Sequence, residues 1–154
     1  MVLYYSRSEK TKLFAEVLGE ILGQDVYELK SDINNKGFFG FIIKALSLAF
    51  SGKSYPILNM PKNLPEEIFL CTPVWGGQVA GPAKYFLENA DKNTTVNLLL
   101  TASIPTDKYT KQALDMLSAM PCRAGEAYIF ATSSKVPQDR VTIKEQLEII
   151  INAK

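Results

Sequence analysis

Apolar residues change their spacing along this chain, and each change marks an element. Val2, Leu3, Tyr4 and Tyr5 form an unbroken apolar and aromatic run, as a buried strand does. From Ser8 to Gly23 the apolar residues are Leu13, Phe14, Val17, Leu18, Ile21 and Leu22. That order, i, i+1, i+4, i+5, i+8, i+9, is one helical stripe, and Gly23 supplies a C-cap. Asp25 to Leu29 then places Val26, Tyr27 and Leu29 as a short strand would. A strand, a helix and a second strand thus fit within roughly 30 residues, the size of a parallel crossover unit.

Asp32 to Lys36 is polar and reads as a loop. Gly37 to Phe50 carries a single charge, Lys44, and is apolar on nearly every side. It falls short of the ~20 residues that span a membrane. Two readings stand: a deeply packed helix, or one that leaves a face for a homodimer partner or a membrane surface. Gly52 to Pro65 holds three prolines and reads as a connection, with an extended piece at Ile57-Leu58. Glu67 to Thr72 and Thr95 to Thr101 are apolar on successive residues, as parallel strands are. Pro82 suits the first turn of a helix running to about Asn89, with Phe86 and Leu87 inward. Asp107 to Met120 reads as a helix with Tyr109, Ala113, Leu114 and Leu117 on one side. Glu126 to Thr132 reads as a strand. Asp139 to Ala153 reads as a helix carrying Val141, Ile143, Leu147, Ile150 and Ile151.

Five strands alternating with about five helices predict a three-layer α/β sandwich around a five-stranded parallel sheet. No repeat or boundary divides residues 1–154, so a single domain is expected. Ligands in such folds bind outside the carboxyl ends of the strands, near the point where strand order reverses. Here those ends deliver three loops: Ser6–Thr11, Pro73–Gly81 and Ala102–Thr106.

Composition narrows the chemistry. The net charge of +1 gives no electrostatic case for nucleic acid or for any strongly charged partner. There is no histidine, which excludes histidine acid–base catalysis, Ser-His and Cys-His nucleophile pairs and imidazole metal ligation. Two cysteines, Cys71 and Cys122, are too few for a cysteine-only zinc site, and Cys71 sits in an apolar run as a core residue would. The chain opens on a strand pattern and not on a signal peptide, so a cytoplasmic protein is expected.

The first loop follows a strand and opens a helix, where free backbone N–H groups and partial positive charge favour an anion. Ser6, Ser8 and Thr11 bring hydroxyls, and Arg7 and Lys10 bring cations. This reads as a phosphate cradle. The same residues also spell a capping box, Ser6-Arg7-Ser8-Glu9, in which Ser6 and Glu9 would satisfy the helix's own donors. In the second loop Trp75, the one tryptophan, precedes Gly76-Gly77. An aromatic at a loop tip stacks on a planar ligand or packs on its own domain, and the glycines allow close approach or a tight turn.

Over essentially its whole length the chain resembles the flavodoxin family. Tyr4-Tyr5-Ser6-Arg7-Ser8-Glu9-Lys10-Thr11 is similar to that family's hydroxyl-rich flavin-phosphate loop. Thr72-Pro73-Val74-Trp75-Gly76-Gly77, with Pro82 and Phe86-Leu87-Glu88 after it, resembles its second loop and following helix. Gly37 to Ile42, with Ser51-Gly52-Lys53 beyond, is similar to a subgroup of small bacterial flavodoxin-like proteins.

The resemblance implies strand order 2-1-3-4-5 and bound FMN. It implies that Ser6, Ser8 and Thr11 meet phosphate oxygens, with the N–H groups of Arg7, Ser8, Glu9, Lys10 and Thr11 around them. Thr72, Pro73, Val74, Trp75, Gly76 and Gly77 would flank the ring and ribityl chain. Ala102, Ser103 and Ile104 would line the pyrimidine side. It also implies a carbonyl near Gly76 or Gly77 able to turn towards the flavin. The chemistry would be the flavin's, with the protein tuning it.

Three departures stand out. Glu9 takes the place of a family glycine, the chain lacks the strong acidity of electron-shuttling members, and the loop after Thr101 lacks their acidic, aromatic pattern. Tyr109 could stack on the ring or pack in the core.

The functional expectation is an FMN-binding protein of electron transfer or flavin redox chemistry, either a carrier or a small flavin oxidoreductase. Its counterpart would be a redox protein or a small-molecule acceptor. The alternative is a flavin-free module of the same fold that binds through Gly37–Phe50. A phosphoryl-transfer reading fails, because the first strand ends without a pair of aspartates and no G-x-x-x-x-G-K-[S/T] loop is present.

Overall fold

The computed structural model describes residues 1–35, 37–132 and 139–152. Expectations for Lys36 and Ala153 fall outside these. So do the side chains of Phe38, Phe41, Ala45 and residues 48–50 in the apolar helix.

The strands are β1 (Val2–Tyr4), β2 (Val26–Glu28), β3 (Glu67–Trp75), β4 (Gln78–Val79), β5 (Thr95–Ala102) and β6 (Arg123–Ala131). The helices are α1 (Lys10–Leu22), α2 (Gly37–Ser51), α3 (Gly81–Glu88), α4 (Asp107–Leu117) and α5 (Arg140–Ile151), with a 3-10 turn at Asp32–Asn35. The parallel sheet runs β2-β1-β3-β5-β6, which is the expected 2-1-3-4-5 once the short antiparallel β4 is set aside. In register, Tyr4 lies beside Glu28 on one side and Cys71 on the other.

Side chains alternate across the sheet as the two-residue period demands. Leu3, Tyr5, Leu70, Leu98 and Leu100 face a core shared with Phe86 and Leu87 of α3 and Leu117 of α4. Val2, Tyr4, Cys71 and Leu99 face the opposite core, with Phe14 and Leu18 of α1 and Leu147 of α5. Two cores on one sheet make the three layers. Gly23 ends α1 in the left-handed region, φ 60°, as a C-cap glycine does.

One reading is corrected, and one open choice is decided. The second loop is largely not a loop. β3 continues to Trp75, Gly76-Gly77 forms a two-residue turn, and Gln78 pairs back to Trp75. Both glycines have positive φ, 56° and 85°, which matches the turn that twisted antiparallel strands require. Nor is α2 buried all round. It packs on α3, β3 and the 3-10 turn, leaving Phe39, Ile43 and Leu46 at 79%, 70% and 51% exposure. Those three share a helix face at i, i+4 and i+7, because a helix resting on one side of a domain has an outer side. Among the described residues no helix is long and apolar enough to cross a membrane.

The cap of α5 carries a pH-dependent contribution. Asp139 accepts from Thr142 N at 2.9 Å and from Thr142 Oγ1 at 2.8 Å. The backbone bond from Thr142, first, holds its carboxyl below the usual range. A depressed folded value gives stability that is present above the unfolded value, near 4, and is lost as pH falls through the folded one. Asp139→Asn keeps a good cap. Thermal melts between neutral and acid pH should therefore show the variant losing less stability than the native protein.

Candidate functional site

The end of β1 sets the site. Tyr5 N donates to Cys71 O at 3.0 Å, so the sheet still holds the chain where the first loop begins. Ser6 follows, buried, and its Oγ finds no hydrogen-bond partner among the described residues. A buried hydroxyl without a partner costs about 1–3 kcal/mol. Such an atom in a loop at the end of a strand has room in its chemistry for one further donor or acceptor.

The capping box does not form. Glu9 is the N-cap of α1 and makes no side-chain cap bond. Its backbone lies in the left-handed region, φ 60° and ψ −16°, a conformation that glycine adopts at no cost. Its carboxylate, 75% exposed, turns outward and pairs with Lys12 at 2.8 Å. The negative charge therefore points away from the loop. The first-turn N–H groups of α1 remain without a side-chain cap, which suits an external anion. Left-handed geometry costs a side-chain-bearing residue ~1–2 kcal/mol, and glycine's extra chain entropy returns ~0.5–1. Glu9→Gly should raise stability by up to about 1 kcal/mol in urea unfolding.

Thr11 lies just inside the helix, and its Oγ1 shares a hydrogen with Thr101 Oγ1 at 2.8 Å, both buried. This pins the first loop to the end of β5. Lys10 reaches further and donates from Nζ to Thr132 O at 2.8 Å, beyond the end of β6. Thr132 N donates to Ala102 O at 2.8 Å. The ends of β5 and β6 are thus tied to the start of α1.

These ties border an open cleft of about 180 Å³ lined by Ser8, Lys10, Thr11, Pro73, Val74, Trp75, Thr101, Ala102, Ser103 and Thr132. Residues from all three expected loops meet in it. Ser6 and Thr72 are buried next to it in the chain, with Thr72 Oγ1 donating weakly to Pro73 O at 3.3 Å. Arg7, Ser8, Glu9 and Lys10 are all exposed, and of these Arg7 and Glu9 are not among the cleft's lining residues. Gly76, Gly77 and Ile104 are not among the lining residues, and Ile104 is 76% exposed. Thr101 and Thr132 were not anticipated. Their only trace in the sequence is a hydroxyl residue at the close of an apolar strand run.

Trp75 is half-buried, and its ring meets Tyr5 edge-on, 5.6 Å between centroids at 80°. Tyr109 is half-buried rather than core, and packs on the hairpin: a Cβ placed on Gly77 would lie 3.4 Å from its Cε1. Burial pushes the Tyr5 phenol and the Cys71 thiol well up, so Tyr5 stays neutral and Cys71 remains a thiol, not a thiolate nucleophile. The arrangement offers hydroxyls, N–H groups, one ammonium and an aromatic wall. Such a set suits holding and orienting a ligand, and among the described residues no acid–base pair lines it.

No protein-family model matches this sequence, and no curated protein sequence matches it. Solved structures do match. A protein of Bacteroides uniformis ATCC 8492, provisionally described as a flavoprotein, superposes with a TM-score of 0.74 over 96% of each chain at 16% identity. A flavoprotein of Lactobacillus acidophilus NCFM, solved in complex with FMN, gives 0.66 at 21% identity, over 99% of this chain and 97% of that one. Oxidised flavodoxin 2 of Bacillus cereus gives 0.53 at 13% identity, over 99% and 98%. The chain therefore has the flavodoxin-like α/β fold that its sequence predicted.

Proposed function

We propose that this protein binds FMN in the cleft at the carboxyl ends of β1, β3 and β5 and serves flavin redox chemistry, as an electron carrier or a small flavin oxidoreductase. The observation that carries the reading is the buried, unpartnered Ser6 Oγ beside an uncapped helix start. A phosphate oxygen would supply the missing partner. Ser6, Ser8 and the N–H groups of Arg7 to Thr11 would hold the phosphate. Thr11, tied to Thr101, would keep the loop in place. Pro73, Val74, Trp75, Ala102 and Ser103 would line the ring. Bound flavin supplies one- and two-electron transfer, which this chain's side chains do not. The protein's own part is to hold the ring, shield it with Trp75 and set the charge around it. FMN bound to the Lactobacillus acidophilus structure of similar fold supports the reading.

Flavin fluorescence tests it. Purified protein added to FMN should quench the emission in a saturable titration. A folded protein that leaves the emission unchanged at moderate excess would sink the proposal.

The exposed Phe39–Ile43–Leu46 face of α2 supports a second, separate reading, self-association through that helix. Sedimentation velocity should then give a dimer that Ile43→Asp converts to monomer. A monomer at all concentrations refutes it.

A further inference from the structure

Charge in the cleft is one-sided. Among the described residues that line it, Lys10 alone is charged. Glu9, its neighbour in the chain, turns away to Lys12. Lys10 is also held in place. It opens α1, and its ammonium is fixed on the Thr132 carbonyl, which belongs to a residue bonded in turn to Ala102. One of the three ammonium donors is used in this way. A carbonyl orients the ammonium without neutralising it, as a carboxylate would. Lys10 is itself exposed, so part of its charge is open to screening by salt.

We infer that Lys10 sets the reduction potential of the flavin in this cleft by stabilising the anionic reduced ring. The inference rests on the FMN reading. Full reduction to that form adds two electrons from an external donor, dithionite in the experiment below, and one proton. The ring therefore gains one negative charge. Among the described residues no carboxylate lines the cleft to oppose that charge, and Lys10 favours it. This is a tuning role, distinct from holding the phosphate, because it acts on the reduced form more than on the oxidised one.

The experiment is a dithionite titration of FMN-saturated native protein, Lys10→Gln and Lys10→Arg with reference dyes, following the bound-flavin spectrum. Lys10→Gln should lower the two-electron midpoint potential by about 30 mV or more, a tenfold change in the reduction equilibrium. Lys10→Arg, which keeps the charge, should restore the native value. Equal potentials for the native protein and a flavin-loaded Lys10→Gln overturn the inference and leave FMN binding intact. Failure of the native protein to bind FMN overturns both. Should the glutamine variant not retain FMN, salt decides on the native protein. Screening the ammonium should move the potential negative, and a salt-independent potential overturns the inference.

Discussion

Ser6→Ala is expected to weaken FMN binding by about ten- to a hundredfold while leaving the flavin-free protein as stable as the native one, or more so. A hydrogen bond to a charged phosphate contributes about 1.5–3 kcal/mol, and each 1.4 kcal/mol is tenfold in affinity. Without flavin, the same hydroxyl is buried with no partner among the described residues. Deleting it removes a desolvation cost of about 1–3 kcal/mol from the apo protein. The two effects have opposite signs, which an ordinary structural serine would not give. Calorimetric FMN titration and urea unfolding of the apo protein measure them separately. A variant with weaker binding and an equally weakened apo fold would show that Ser6 serves the scaffold.

Trp75→Ala is expected to cost at least about tenfold in FMN affinity and about 1–2 kcal/mol of stability. Two contacts are lost. One is the aromatic wall of the cleft. The other is the edge-on contact with Tyr5, a fully buried ring at the end of β1, a type of pair worth about 0.5–1.5 kcal/mol. Trp75→Phe should restore most of the stability. It should also quench bound flavin less efficiently than the native protein. Undiminished affinity in Trp75→Ala would mean that the ring faces its own domain only.

The parallel sheet was legible because its strands are short apolar runs spaced by helical stripes, as Glu67–Thr72 and Thr95–Thr101 are. Helix α1 was legible to within two residues, since Leu13–Leu22 has one strict period and Gly23 one strict conformation. Gly76-Gly77 was read as loop. The same two residues serve a loop or a two-residue hairpin, and only the pairing of Trp75 with Gln78 decides between them. The outward face of α2 was illegible for a related reason. A segment apolar all round shows no periodicity, so which side meets the domain is a tertiary outcome. Ser6-x-x-Glu9 was open between cap and cradle because the motif fixes residue types and not backbone angles. The left-handed Glu9 backbone settles that choice against the cap. Thr132 was invisible, because its place in the cleft depends on a lysine far away in sequence.

In the proposed complex the Ser6–Thr11 loop cradles the phosphate of a flavin. Parallel calorimetric titrations with FMN and riboflavin test it most directly, because the two ligands differ only in the phosphate group. FMN should bind at least about tenfold tighter, reflecting at least one charge-assisted hydrogen bond to the phosphate. Equal affinities, or no binding of FMN by the folded protein, would contradict it.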